Sequence, residues 1–359
     1  MAKIGILTFH FAHNYGAMLQ AYALRKFLSD CGYECEVINY IPEKMGRAYS
    51  TSLLGPDNSV SLRRMFSIYK RRKQVSLFKF FLEEYLKVKD SDVDYSKYDV
   101  IVVGSDQVWN LDLTYNDKVY FLAEVVNGSV GVGYAISIGK KVDDKLADMI
   151  VKYIGKFRHL SFREKSACDQ ISKLIGRECE NVADPVFLLS KDMWMQIESK
   201  PKSIKENQFI LFYALDSNDE LLHAVSSLRE KYNLPVVFIH PLCVSVDFEC
   251  IKLNDVGPCE FLWLIHHSTY IVTNSFHAMA FSGIYGKKSI IAHNGELGER
   301  TKHLYTLLNL VTDSDGIIDF NIANQKRLEN HIINSKWFIL HSIDDVINKP
   351  NQEMGMIIK

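Results

Sequence analysis

Short continuous apolar runs alternate along this chain with segments of helical period, and that alternation predicts an α/β protein. "KIGILTF" at the N-terminus reads as a buried strand, "HFAHNYGA" as the loop behind it, and Met18–Asp30 as a helix with Leu19, Tyr22, Ala23 and Phe27 on one face, closed by Gly32. "YECEVINYI" is the next strand, so the first 41 residues form one β-α-β unit with parallel strands and a right-handed crossover. The same grammar returns in "YDVIVVGSDQVWN", "SVGVGYAISIG", a helix from Asp143 to Phe157, "HLSFREKSACDQISKLIG" and "ECENVADPVFLL". After a polar, proline-containing stretch over residues 190–207 it runs again. "QFILFYAL" is a strand, Asn218–Tyr232 a helix, "LPVVFIHP" a strand, Pro258–His266 a helix and "TYIVTNS" a strand. A helix from Phe276 to Tyr285, the strand "KSIIAH" and a helix over Glu299–Leu310 follow, and Gln325–Phe338 and a short segment around Asp344 supply two tail helices.

The pattern predicts two Rossmann-like domains with parallel sheets facing an interdomain cleft. They span residues 1–190 and 205–324, with a helical tail at 325–359 packing back on the first domain. A basic segment at 58–82 belongs to the first domain in this reading. In it Arg63, Arg64, Lys70, Arg71, Arg72 and Lys73 interleave with apolar residues, and no acid intervenes between Asn58 and Leu82. Such a segment is either a solvated helix face or a basic amphipathic helix suited to an anionic membrane surface.

Composition narrows the classes. Net charge is −1, from 42 Lys and Arg against 43 Asp and Glu, so no global field selects nucleic acid. Seven cysteines at irregular spacings, without a CxxC, read as free thiols of a reducing cytosol. The histidines do not pair with them at ligand spacings, so no metal is expected. No run of 18 apolar residues occurs and the N-terminus reads as a strand rather than a signal peptide, which places the protein in the cytoplasm.

In parallel α/β sheets, ligands bind beyond the carboxyl ends of strands, so chemistry is sought in the loops that follow them. After the first strand, His13, Asn14, Tyr15 and Gly16 precede a helix whose N–H groups suit an anion or a sugar hydroxyl, or else only shape a turn. In "GSDQVWN", Ser105 and Asp106 sit at a strand end. Asp106 is either a working carboxylate or a helix cap, and Trp109 either offers a face to a sugar ring or belongs to the core. Arg163 in "FREKSA" is either a fork for a carboxylate or phosphate or the partner of Glu164 or another nearby acid. In the later half, His266 and His267 close a helix as partners of its dipole or as surface groups, Lys287 and Lys288 read as solvated, and His293, Glu299 and Arg300 follow a strand. His277 stands at a strand-to-helix junction behind Asn274 and Ser275. Small residues behind it allow close packing on the sheet, and a histidine beyond a strand end is placed for proton transfer.

"NYGAMLQAYAL", "YDVIVVGSDQVWN", "GYAISIG", "SFREKSA", "VADPVFLL" with Trp194 after it, and "TNSFHAMAFS" occur in this order. Together they resemble the polysaccharide pyruvyl transferase family over roughly residues 3–310. The resemblance implies a glycosyltransferase-B-like fold and transfer of pyruvate from phosphoenolpyruvate, a co-substrate, to two hydroxyls of one sugar in a bacterial surface glycan, without other cofactor. It assigns His277 as general acid and Asp106 as base. It carries Arg163 over to the donor and His13, Asn14, Tyr15 and Ser105 to the acceptor; beside it, Ser275, Asn274 and Arg300 are read from the residues as donor contacts and Trp109 as an acceptor contact. Several family members carry an arginine two positions before the histidine, where this chain has Ser275, so Arg163, Arg300 or the helix-start N–H groups must hold the donor instead. An acceptor built on a lipid carrier at the inner membrane face gives Arg71, Arg72 and Lys73 a role as peripheral membrane or carrier contacts. Two other functions share these features: a sugar-nucleotide-dependent glycosyltransferase of the same fold, and a glycan-binding protein without catalysis.

Overall fold

The computed structural model describes residues 2–49, 62–89, 93–125, 130–216, 219–239, 246–292, 298–322 and 325–348, with the side chains of 47–49 and 62–71 outside that description. Two compact units divide the chain, one of Met1–Ser50, Leu82–Leu188 and Glu329–Lys359, the other of Thr51–Phe81 and Leu189–Leu328.

The first unit carries β1 (Lys3–Leu7), β2 (Glu34–Val37), β3 (Val100–Val103), β4 (Val130–Ile136), β5 (Phe157–Phe162) and β6 (Glu180–Asn181). They form one parallel sheet in the order β2-β1-β3-β4-β5-β6. The central strands are unbroken apolar runs, VIVV in β3 and VGVGYAI in β4, because helices cover both faces of the sheet. Helix α1 (Tyr15–Asp30) follows β1. Asn14 caps it by accepting from Ala17 N at 3.1 Å. Helices α2 (Glu43–Tyr49), α3 (Leu62–Glu84), α4 (Asp144–Tyr153) and α5 (Lys165–Ile175) come next in the chain. Asp143 caps α4, and α5 ends at Gly176 in the left-handed conformation.

The second unit carries β7 (Ile210–Tyr213), β8 (Val236–Ile239), β9 (Ile251–Leu253), β10 (Tyr270–Thr273), β11 (Lys288–Ile291) and β12 (Ile318–Asp319), in the order β12-β11-β10-β7-β8-β9. Counted from its own first strand, that is the 3-2-1-4-5-6 order of a dinucleotide-type Rossmann sheet. One departure from the expected parallel sheet is β12, which runs antiparallel to β11. Its helices are α6 (Lys191–Met195), α7 (Asp219–Tyr232), α8 (Pro258–His267), α9 (Phe276–Tyr285) and α10 (Glu299–Leu308). The protein therefore consists of two Rossmann-like units.

The basic segment groups with the second unit as far as Phe81, not with the first domain as its position in sequence suggests. Lys73 Nζ lies 3.5 Å from Asp255, and Leu77 packs so closely on Gly257 that a Cβ there would come within 2.6 Å of Leu77 Cβ.

The tail is one helix, α11 (Gln325–Asn348), rather than two. Phe338, Ile339, Ile343 and Val346 recur at helical spacing and enter the core beside β1, β3 and β4. Ser335 Oγ accepts from Ala183 N at 2.8 Å, and Asp345 pairs with Arg158 at 2.7 Å. Among the described residues, no helix is long and apolar enough to cross a membrane. Cys31, Cys35, Cys168, Cys179, Cys250 and Cys259 are free thiols.

Candidate functional site

Each sheet reverses its strand order at one point, between β1 and β3 in the first unit and between β7 and β10 in the second. The loops at the carboxyl ends of those strand pairs are where such sheets bind ligands. His13, Asn14, Tyr15, Ser105, Asp106, Asn274, Ser275 and His277 lie in them or open the helices behind them, whereas Arg163 follows β5 and Arg300 opens α10.

In the first unit, Thr8 follows β1 and its Oγ1 donates to the Ser105 carbonyl behind β3 at 3.0 Å. Gln20 of α1 donates to Thr8 Oγ1 and to the Ala17 carbonyl, each at 2.9 Å, so helix, first loop and second loop are tied together. Gly104 has φ +114°, and a Cβ there would lie 2.2 Å from the Tyr134 carbonyl, so only glycine lets β3 turn so tightly against β4. The Gly104–Ser105 peptide is cis. Asp106 then sits in the left-handed region, held by backbone bonds from Ser137 N (3.0 Å) and Val108 N (2.8 Å) to its carbonyl.

The Asp106 carboxylate accepts from Gln107 N at 2.9 Å and stands 3.6 Å from Arg163 Nη2. Arg163 is only 3% exposed, and its Nη1 is bonded to the Asp184 carboxylate. The other Asp184 oxygen accepts from Val186 N at 3.0 Å. Glu164, next to Arg163, accepts from Ser137 Oγ. Burial alone would lower the guanidinium's pKa, but the carboxylates of Asp184, Asp106 and Glu164 outweigh it and hold the proton more firmly than usual. Three carboxylates around one cation leave this cluster negative.

Several expected contacts are corrected by this geometry. Arg163 is not an open fork for a donor, because Asp184 and Asp106 already engage it within the protein interior. Trp109 is fully buried rather than turned to a sugar: it stacks on Phe121 at 4.8 Å and 14°, and its Nε1 donates to the Tyr120 carbonyl at 2.9 Å. Tyr15 and Ser105 are buried as well, so neither presents a side chain to an acceptor in this conformation. His13 is partly exposed and Asn14 exposed, which keeps that loop accessible. The sequence reading gave no role to Asp184, although its Asp-Pro pair right after a short strand marked the position.

In the second unit, Asn274 follows β10 and its Oδ1 accepts from Leu215 N at 2.8 Å, while its Nδ2 donates to Asp216 Oδ1 at 2.7 Å. Leu215 and Asp216 follow β7, so this one amide ties the two switch-point loops together. Ser275 donates its N–H to Thr273 Oγ1 at 3.0 Å and caps α9 by accepting from Ala278 N at 3.4 Å. The Asn274 and Ser275 side chains thus shape the loop rather than reaching outward as donor ligands. His277, 8% exposed, is in the first turn of α9, edge-on to Phe276 with ring centroids 5.2 Å apart. Arg300, in the first turn of α10, lies over the Phe276 ring at 5.4 Å. His277 and Arg300 therefore both border the Phe276 ring at the start of α9. Asp216 went unnoticed in sequence; its signal was an acid directly behind the strand "FILFYAL".

Lys287, expected in solvent, is half-buried. Its Nζ donates to the His266 carbonyl at 2.8 Å, and burial lowers its pKa. Arg72 and Lys73 are exposed, while His293 and the side chain of Arg71 lie outside the described residues.

Among curated proteins none matches this sequence. Solved structures that follow a similar course include the UDP-GlcNAc 2-epimerase of Methanocaldococcus jannaschii in complex with UDP-GlcNAc and UDP, at 15% identity, with 97% of this chain and 93% of that one covered and a TM-score of 0.46. The UDP-GlcNAc 2-epimerase of Neisseria meningitidis bound to UDP-GlcNAc follows at 11% identity, 85% of each chain and a TM-score of 0.46. The E. coli heptosyltransferase WaaC with ADP is similar at 11% identity, over 82% of this chain and 88% of that one, with a TM-score of 0.37. At such scores the fold rests on the strand orders above. The sequence pattern of one family, polysaccharide pyruvyl transferase, matches residues 14–292, most of the chain, and the chain belongs to that family.

Proposed function

We propose that the protein transfers pyruvate from phosphoenolpyruvate onto two hydroxyls of one sugar in a bacterial surface glycan or its lipid-linked precursor, forming a cyclic ketal. The observation that carries this reading is that His277 and Arg300 both border the Phe276 ring at the start of α9. A donor bearing both phosphate and carboxylate is attracted there by the guanidinium and the helix terminus. His277, as general acid, delivers a proton to the methylene carbon of phosphoenolpyruvate, and C2 becomes cationic. A sugar hydroxyl adds to C2 and gives up its proton to a general base, for which Asp106 is the proposed group. The C2–O bond to phosphate then breaks, and the second hydroxyl closes the ketal on C2, its proton leaving with the inorganic phosphate. Arg71, Arg72 and Lys73 are assigned to the carrier or an anionic membrane surface at the inner face of the cytoplasmic membrane.

The test incubates the protein with phosphoenolpyruvate and aryl glycosides, following phosphate release and the mass of the glycoside. The expected result is stoichiometric phosphate release with the mass gain of a pyruvate ketal. His277→Gln should lose about 10²–10⁴ in rate while remaining folded. Release of a nucleoside diphosphate from a sugar nucleotide, with none of phosphate from phosphoenolpyruvate, would make the protein a glycosyltransferase. Undiminished turnover by a folded His277→Gln variant would remove the acid assignment.

A further inference from the structure

The last turn of α8 ends in adjacent histidines, and the segment behind α6 brings a carboxylate to them. His266 Nδ1 lies 3.0 Å from Glu198 Oε1 and 3.1 Å from Oε2, and His267 Nδ1 lies 3.9 Å from Oε2. One ligand atom from each of the three residues falls within 4.8 Å of the others. Around a zinc-type ion with bonds of about 2.0–2.1 Å, tetrahedral ligands stand roughly 3.4 Å apart, so modest side-chain shifts suffice to close these three on one ion.

Both rings are already oriented. His266 stacks on Tyr285 at 4.6 Å and 11°, and His267 on Trp263 at 4.2 Å and 12°. The Glu198 side chain is 7% exposed, and among the described residues no lysine or arginine pairs with it. A buried carboxylate without a cation calls for a compensating positive charge. Two lysines of this region are engaged elsewhere: Lys287 on the His266 carbonyl at 2.8 Å, and Lys200 over the Trp263 ring at 5.3 Å. The Trp263 carbonyl lies 3.0 Å from His267 Nδ1, and the Tyr285 hydroxyl also interacts with the Glu198 carboxylate. The His267 side chain is 43% exposed, which opens the cluster to solvent on that side.

We propose that Glu198, His266 and His267 bind a divalent transition cation of zinc type, with water in the remaining positions. Two imidazoles and one carboxylate suit a borderline metal rather than calcium or magnesium, which favour oxygen-rich sets. The ion would pin the segment after α6 to the end of α8, a structural role separate from the chemistry at His277.

The test uses tag-free full-length protein, stripped with a chelator and dialysed, then titrated with zinc chloride by calorimetry and with cobalt(II) by absorption. The expected result is one equivalent bound with micromolar or tighter affinity, cobalt d–d bands without a thiolate charge-transfer band, and a rise in melting temperature with zinc. Glu198→Gln and the solvent-facing His267→Gln should each weaken binding by about tenfold or more. If Glu198→Gln fails to fold, His267→Gln decides alone. Absence of stoichiometric binding, a thiolate band, or undiminished binding in folded variants would overturn the proposal.

Discussion

Asp184→Asn is the sharpest probe of the first unit, because it changes one charge and almost no volume. Asparagine keeps an oxygen for the Val186 N–H but removes the carboxylate bonded to Arg163 Nη1. The guanidinium is then left with Asp106 at 3.6 Å as its nearest counter-charge. At an effective dielectric of ~20, a pair at that separation attracts by about 4–5 kcal/mol before desolvation is counted. Breaking one side of a buried pair costs about 3–5 kcal/mol, because a desolvated charge remains. Arg163→Met removes the cation and leaves Asp106, Glu164 and Asp184 facing one another, at a similar cost. The double variant has neither the lone cation nor the full set of acids, so it should lose less than the two singles together, with a coupling of about 2–3 kcal/mol. Urea unfolding followed by circular dichroism measures all four corners of the cycle. Singles that each cost under about 1 kcal/mol, or that add within about 0.5 kcal/mol, would refute the view that this pair holds the Asp106 loop.

His10 is buried, with Nδ1 3.2 Å from the Thr8 carbonyl and Nε2 3.1 Å from Asn39 Oδ1, and burial lowers its pKa below the ordinary 6.5 against the opposing pull of those two bonds. The unfolded chain therefore takes up this proton first on acidification: stability is full above pH 6.5 and falls as pH drops through 6.5 toward the folded value, by at most about 1.4 kcal/mol per pH unit. His10→Gln should flatten that part of the profile in unfolding experiments between pH 7.5 and 5.5, and an unchanged slope would show that another group sets it. Replacing Arg71, Arg72 and Lys73 by Gln should lower binding to vesicles rich in anionic lipid by about 1 kcal/mol for each cation, an effect that shrinks as salt shortens the screening length to about 8–10 Å; equal binding at low salt would leave these residues as a solvated helix face.

What the sequence made legible is what depends on neighbours in the chain. Apolar runs such as VIVV and VVFI are strands because their period needs no distant information, and Thr273-Asn274-Ser275 before Phe276 marks a strand end and a helix cap within a few residues. The strand ends in turn marked the loops in which candidates were sought, since ligands of such sheets bind beyond the carboxyl ends of strands. What stayed hidden depends on pairing across the fold. Trp109 reads as a loop aromatic until Phe121 and Phe162 close around it. Arg163 reads as an open fork until Asp184, 21 positions on, engages it, and His266 reads as a surface histidine until Glu198, 68 positions earlier, comes to its ring. Strands as short as β9 and β12 carry too little period to be seen, and β12 exists because its two residues complete an edge that β11 leaves open. A charged residue at a strand end is thus identifiable as a candidate from sequence, but whether it faces a ligand or a partner is decided by which opposite charge the topology brings beside it. On that ground the proposed donor contact is Arg300, over the Phe276 ring, rather than Arg163, which Asp184 engages.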